Sequence, residues 1–64
     1  MDKQKLTPGH SCRHQRRETI GGRELEAERW ITFEESVKGG AWFSRHFETP
    51  IYLTDKQIEE ELSV

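Results

Sequence analysis

The chain has 64 residues, of which 31% are hydrophobic and 34% charged, so it has room for one small domain with a thin hydrophobic core. Its single cysteine, Cys12, excludes an internal disulfide and fits a reducing cytoplasm, and we expect neither a signal peptide nor a membrane span. The net charge of −2 is divided unevenly: residues 1–17 carry five basic and one acidic residue, and residues 18–64 carry five basic and eleven acidic. These features predict a soluble cytoplasmic protein. Because its core is thin, the chain could also gain stability as a homodimer.

Residues 1–17 are interpreted as a flexible basic arm that precedes a single small domain at residues 18–64. Leu6 is the only large aliphatic residue of this segment besides Met1, and Thr7-Pro8-Gly9 is typical of a turn. Neither helical nor strand periodicity is present. We expect the segment to be disordered or loosely docked.

Soft metal ligands alternate in this arm at His10, Cys12 and His14, with His46 as a fourth candidate if the arm folds back. Closed zinc sites normally use paired Cys-x-x-Cys or His-x-x-x-His spacings, which the sequence lacks. We therefore expect no metal and no cofactor.

The arm also offers five cations that would suit contacts to nucleic-acid phosphates: Lys3, Lys5, Arg13, Arg16 and Arg17. No aromatic residue lies among them for base stacking, and the acidic remainder of the chain would repel a duplex. A solubilising tail is the simpler interpretation, and nucleic-acid binding is kept as the alternative.

Gly21-Gly22 predicts a turn that returns a short strand near residues 17–20 onto residues 24–27, which would make a three-stranded meander. The stretch RELEAER that follows the turn is also built of good helix formers. A strand is preferred, because Leu25 and Ala27 keep the odd-numbered phase of the apolar positions further along the chain.

Residues 28–53 predict one long β-hairpin, since two runs rich in β-branched and aromatic residues flank a Gly pair. Apolar residues recur at odd positions in both runs and define one inward face: Ile31, Phe33, Val37, Phe43, Phe47, Ile51 and Leu53. Opposed residues on that face must both be odd, which requires an odd number of loop residues.

Two three-residue loops satisfy this condition. The loop Lys38-Gly39-Gly40 needs a left-handed residue at its third position, and Gly40 supplies it. The loop Gly39-Gly40-Ala41 instead places Val37 opposite Phe43 in a favourable cross-strand pair. Both loops give the same inward face, and the sequence does not choose between them.

A capping box marks the start of a C-terminal helix. Thr54 is the predicted N-cap and Gln57 completes the T-x-x-Q pattern, while Leu53 and Ile58 match the hydrophobic staple. Asp55 in the first turn suits the positive end of the helix dipole.

The helix is expected to continue to about Ser63, with Ile58 and Leu62 packed on the sheet. The acidic triplet Glu59-Glu60-Glu61 is expected to face water. The chain is therefore predicted to be α+β, with an antiparallel hairpin or three-stranded meander packed against one C-terminal helix.

The even-numbered face of the sheet presents Trp30, Trp42 and Tyr52, which one short helix on the other face cannot cover. Exposed Trp and Tyr are typical of interface hot spots, whereas the alternative is that the N-terminal segment folds over them. Glu34 and His46 fall on the same face, and such a pair is more often a surface contact than an acid–base couple. No catalytic motif accompanies them, so we expect no enzyme.

Two groups of residues lie in predicted strands that precede the acidic helix. The first strand carries Trp30, Thr32, Glu34 and Ser36, and the second carries Phe47-Glu48 and Pro50-Ile51-Tyr52. In this part the chain resembles the short RNA-polymerase inhibitors of lytic podoviruses. The resemblance implies a small α+β module of phage type that clamps a larger enzyme through a charged face. That family's strand after the helix, with its functional arginines, has no counterpart before Val64, so no functional residue is transferred.

The sequence thus predicts a small interaction protein that binds a larger protein and modulates it by inhibition. The residues predicted to bind that partner are Trp30, Trp42, Tyr52, His46 and Glu34. The alternative is a nucleic-acid-associated regulator that uses the basic arm.

Overall fold

Antiparallel strands and one short helix make up the fold in the computed structural model, which describes residues 1–63. In chain order the elements are a 3₁₀ turn (Lys3–Lys5), β1 (Ser11–His14), β2 (Glu18–Ile20), β3 (Arg23–Leu25), β4 (Arg29–Val37), β5 (Gly40–Arg45), β6 (Glu48–Thr54), α1 (Asp55–Glu61) and β7 (Leu62–Ser63). The main sheet has the strand order β6-β5-β4-β1-β7, and β2 and β3 form a separate hairpin. The predicted α+β class is confirmed. Within residues 1–63, no helix is both long and apolar enough to span a bilayer.

The core lies on one face of the β4–β5–β6 meander, as the odd-numbered pattern predicts. The odd residues buried there are Ile31, Phe33, Phe43, Ile51 and Leu53. Phe33 lies opposite Phe43 across β4 and β5, and their rings meet edge to face with centroids 5.7 Å apart. Ile58 and Leu62 are buried against this face, which confirms the predicted packing of the C-terminal segment.

The register of the first turn differs from both predicted loops. Val37 pairs with Gly40, so the loop has two residues, Lys38 and Gly39. A bulge between Phe33 and Glu35 adds one residue to β4 and restores the odd-to-odd pairing. An odd loop length is required only when the ladder is unbroken, and the bulge breaks it. Val37, beyond the bulge, is only half-buried, so its assignment to the inward face was wrong.

The left-handed residue of this turn is Gly39, with φ of 85°, and the prediction of a positive φ at Gly40 was wrong. Gly40 is needed for a different reason. A Cβ there would overlap the Leu53 carbonyl oxygen and come within 2.6 Å of the Tyr52 ring. The close approach of β6 to β5 therefore depends on this glycine.

The second half of the predicted hairpin is two strands. The chain turns at His46 and Phe47, where Phe47 has φ of 61°, and Arg45 pairs with Glu48 across the turn. Phe47 is 94% exposed, so its assignment to the inward face was wrong. The alternation of apolar residues continues through the turn and therefore did not reveal it.

Residues 1–17 were expected to form a flexible arm, and the structure places them inside the fold. β1 lies between β4 and β7 in the main sheet, with Cys12 and His14 fully buried. The Met1 ammonium donates to the Ile58 and Glu59 carbonyl oxygens, at 3.2 and 2.7 Å. A strand whose inward residues are Cys and His carries a weak hydrophobic signal, which is why the segment was misassigned.

The Gly21-Gly22 turn is confirmed, with φ of 59° and 79°, and joins β2 to β3. This hairpin does not extend the meander as predicted. Glu28, with φ of 64°, lies in a turn that separates β3 from β4. The strand preference thus holds for Arg23–Leu25 and fails for Ala27.

The predicted capping box is present. Gln57 N donates to Thr54 Oγ1 at 3.2 Å, and Thr54 N donates to Gln57 Oε1 at 2.8 Å. The helix ends at Glu61 and not near Ser63, because Leu62 and Ser63 pair with β1.

Replacing the N-cap tests how much the capping box contributes. Thr54→Ala removes the acceptor of the Gln57 amide and should lower the free energy of unfolding by about 1 kcal/mol. Thr54→Ser keeps the hydroxyl and serves as the control. Urea unfolding monitored by tryptophan fluorescence measures both, and equal midpoints for the two variants would contradict the cap.

The two turn glycines should respond differently to alanine. Gly40→Ala forces a shift of β6 and should cost about 3 kcal/mol or more. A Cβ at Gly39 would make only an ordinary contact with the Tyr52 hydroxyl, at 3.5 Å, so Gly39→Ala meets the strain of a left-handed backbone alone and should cost about 1–2 kcal/mol. Equal losses in urea unfolding would show that this register is incorrect.

Candidate functional site

Two tryptophans lie on the outer side of the main sheet, away from the core. Trp42 pairs with Tyr52 across β5 and β6, their ring centroids are 5.5 Å apart, and Trp42 is 40% exposed. Trp30, on β4, is 56% exposed. Trp30 pairs with Arg13 of β1, toward the opposite end of β4 from Glu35, which pairs with Trp42. We call the outer side of the sheet that carries Trp30, Trp42 and Tyr52 the aromatic face.

Shallow grooves lie on both sides of Trp42. One is lined by Glu34, Glu35 and Pro50 together with the indole. The other runs between the aromatic pair and the tip of the β2–β3 hairpin, and its lining includes Ile20 and Thr49. The bulge in β4 lies beside the first groove and sets Glu35 opposite Trp42.

The residues predicted at this face are only partly brought together. Glu34 accepts a hydrogen bond from the Ser44 hydroxyl at 2.8 Å. The His46 ring lies in the β5–β6 turn and packs on Phe47, with centroids 4.0 Å apart, so it contributes to that turn and is not paired with Glu34. The alternative in which the N-terminal segment covers the tryptophans is not observed, since that segment supplies a strand of the sheet.

Four of the five basic residues proposed for nucleic acid are ion-paired within the chain. The pairs are Lys3–Asp55 at 2.8 Å, Arg13–Glu28 at 3.1 Å, Arg16–Glu61 at 2.8 Å and Arg17–Glu24 at 2.7 Å. Each contacts a different carboxylate, and Lys5 is exposed. Their positive charge is therefore largely offset by nearby acidic groups.

The sequence interpretation missed a polar cluster at the junction of β1, β2 and α1. His14, 0% exposed, places Nε2 2.8 Å from Glu61 Oε1 and 3.2 Å from Glu18 Oε1. Arg16 donates to the other Glu61 oxygen at 2.8 Å. We call His14, Glu18 and Glu61 the His–Glu cluster. Glu61 is 3% exposed, so its assignment to solvent was wrong.

The environment separates the two carboxyl groups of the cluster. Burial raises the pKa of Glu18, and its hydrogen bond to Glu61 raises it further. Burial alone would also raise the pKa of Glu61, but hydrogen bonds from Glu18, His14 and Arg16 outweigh it and lower that pKa. Glu61 is thus the stronger acid, and Glu18 holds a proton to higher pH.

Signals for this cluster were present in the sequence. Glu61 lies three residues after Ile58, which places it on the buried stripe of the helix. His14 lies two residues after Cys12, which places both on the same side of a strand. Cys12 is also buried, and burial raises the pKa of its thiol, so it is kept in the unreactive protonated form.

Neighbouring glutamates on α1 give a matched pair of variants. Glu61→Gln leaves Arg16 and His14 without their anionic partner and should lower the free energy of unfolding by about 1–3 kcal/mol. Glu60→Gln removes the same charge from an exposed position and should stay within about 0.5 kcal/mol of the wild type. Urea unfolding at neutral pH with a chelator present measures both, and equal stabilities would show that Glu61 is not structurally paired.

Comparison with family models, with curated proteins and with solved structures finds no match for this chain. Its function therefore has to be inferred from the geometry of residues 1–63.

Proposed function

We propose that the protein is a non-enzymatic interaction module that binds a larger protein through the aromatic face and modulates it by occupying part of its surface. The observation that carries this proposal is the exposure of Trp30 and Trp42 beside a core that is complete without them. Large aromatic side chains that are not needed for folding are typical of interface hot spots.

The aromatic pair is held in place before any partner arrives. Trp42 lies on β5, which is paired on both edges with β4 and β6, and its indole packs on the Tyr52 ring. Little conformational freedom remains to be lost on binding, which favours affinity.

The charge beside Trp42 indicates what the partner presents. Glu34 and Glu35 line one groove, and both are exposed. A segment that combines an apolar side chain with a lysine or arginine would fill the groove and complement its charge. Inhibition would follow if that segment belongs to the working surface of the partner.

Binding is favoured over catalysis by the composition of these grooves. In the described part of the chain, neither groove beside Trp42 is lined by histidine, cysteine or serine, and both are open to solvent. The first groove does hold two glutamates, but acid–base or nucleophilic chemistry needs a pocket that excludes water, which neither groove provides. The alternative of nucleic-acid binding has less support, since most of the proposed cations are paired with carboxylates.

Truncating Trp42 tests the proposal. Wild-type protein is used to capture a partner from cells of its source, the partner is purified, and the affinity is measured by calorimetry. Trp42→Ala should weaken binding by about 2 kcal/mol or more. Its melting transition should be retained, because the side chain lies outside the core.

Phe47→Ala is the matched control, because it removes an exposed aromatic from a turn outside the aromatic face and should leave the affinity unchanged. Full affinity in Trp42→Ala, or a loss confined to Phe47→Ala, would place the binding surface elsewhere. A collapsed melting transition in Trp42→Ala would show that the indole serves folding.

A further inference from the structure

Three possible metal ligands from three different elements converge in the His–Glu cluster. His14 Nε2 comes from β1, Glu18 Oε1 from β2 and a carboxylate oxygen of Glu61 from α1, and all lie within 4.8 Å of one another. His14 and Glu18 are four residues apart, and Glu61 lies 47 residues after His14, so the fold brings the third ligand to the other two. They are separate from the aromatic face, which is built on β4, β5 and β6.

The orientation of His14 decides which atoms face each other. Its Nδ1 lies 3.4 Å from the Glu26 carbonyl oxygen, which can only accept, so Nδ1 carries hydrogen. In the neutral imidazole the Nε2 lone pair then points toward two carboxylate oxygens. Three electron-rich atoms in a largely buried space require a positive charge between them, which either a proton on Nε2 or a bound metal ion can supply.

We propose that a divalent transition-metal ion of the zinc class binds between His14 Nε2, Glu18 Oε1 and Glu61 Oε1. One imidazole nitrogen with two carboxylate oxygens suits zinc or cobalt better than magnesium, which prefers all-oxygen octahedral sites. Three protein ligands also leave a fourth position, which a water molecule can occupy.

Two of the three distances between ligand atoms suit this ion after a small adjustment, and the third, between Glu18 and Glu61, is within 4.8 Å. Metal–ligand bonds of about 2.0–2.2 Å at tetrahedral angles place ligand atoms roughly 3.3 Å apart. His14 and Glu18 are already 3.2 Å apart, and the Glu61 oxygen, now at 2.8 Å, has to move outward by about 0.5 Å.

Groups around the ligands support the same assignment. His14 donates its Nδ1 hydrogen to the Glu26 carbonyl, which orients the imidazole ring. A backbone carbonyl in this position is a usual partner of the second ring nitrogen of a metal-bound histidine. Arg16 holds Glu61 Oε2 at 2.8 Å, so Oε1 is the oxygen left for a metal. Gln57 donates to Glu18 Oε1 at 3.4 Å and positions that carboxylate.

The ligand set differs from the one weighed from the sequence. The Cys12 sulfur lies 3.7 Å from the Met1 sulfur, and His46 is in the exposed β5–β6 turn. His14 alone is common to both sets. The spacing rules for zinc motifs did not reveal this cluster, because they look for paired Cys or His, whereas two of its ligands are glutamates and Glu61 lies 47 residues after His14.

The test uses the full chain, stripped with a chelator and then exchanged into neutral buffer. Thermal unfolding with increasing zinc chloride should show a rising Tm, since an ion that binds only the folded state stabilises it by mass action. Titration calorimetry should give one ion per chain, and cobalt(II) should give a visible absorption band typical of low coordination.

Glu18→Gln is the informative variant, because Glu18 is 21% exposed where Glu61 is 3% exposed, and an amide of the same shape should leave the metal-free Tm close to that of the wild type. It should lose the zinc-dependent rise in Tm and the cobalt band. His46→Gln, which removes an exposed histidine able to bind zinc adventitiously, should keep both.

The proposal is overturned if zinc does not raise the Tm of the wild type, or if Glu18→Gln keeps the full rise. It is also overturned if nitrogen NMR shows hydrogen on both ring nitrogens of His14 in the presence of saturating zinc. In that case a proton, and not a metal ion, supplies the positive charge of the cluster.

Discussion

The contact between His14 and Glu61 joins the two ends of the chain. Nε2 and Oε1 are 2.8 Å apart in a site closed to solvent, and the contact holds the first strand against the end of the helix. With it, β1 is fixed between β4 and β7, and the sheet reaches five strands. A buried carboxylate of this kind stabilises only when it is fully paired, and His14 and Arg16 both contact it. The rest of the structure depends on this closure, because a three-stranded meander alone would leave one edge of the core open.

The closed sheet has two unlike faces. The inner face uses every large apolar residue that the meander places there, and the helix covers it. The outer face keeps its tryptophans, since 63 described residues supply no second layer to bury them. The bulge at Glu34 affects the pairing of side chains on both faces of the sheet. It keeps Phe33 opposite Phe43 on the inside and sets Glu35 opposite Trp42 on the outside, so one inserted residue shapes both the core and the acidic groove.

The two proposals concern different parts of the molecule and are independent. Protein binding would use residues whose side chains are surplus to the core and already rigid. Metal binding would use residues that close the fold, so an ion there would raise stability without altering the aromatic face. Variants of Glu18 and Trp42 therefore separate the two roles cleanly, since neither residue contributes to the other surface.

Local patterns in the sequence determined the elements whose signals lie within a few neighbouring residues. The capping box at Thr54, the Gly21-Gly22 turn and the inward phase of Ile31, Phe33 and Phe43 were all predictable, because each depends on backbone preferences or on period-two burial. The position of Trp30 and Trp42 on the outer face followed from the same phase, whereas their exposure was decided by the place of the N-terminal segment in the sheet. Tertiary structure decided the rest. Residues 11–14 become a strand because they pair with β4 on one side and with β7 on the other. The bulge in β4 is selected by the packing of the core and not by local backbone preference. Glu61 is buried only because His14 and Arg16 reach it from the other end of the chain, and burial of a charge is settled by such distant partners.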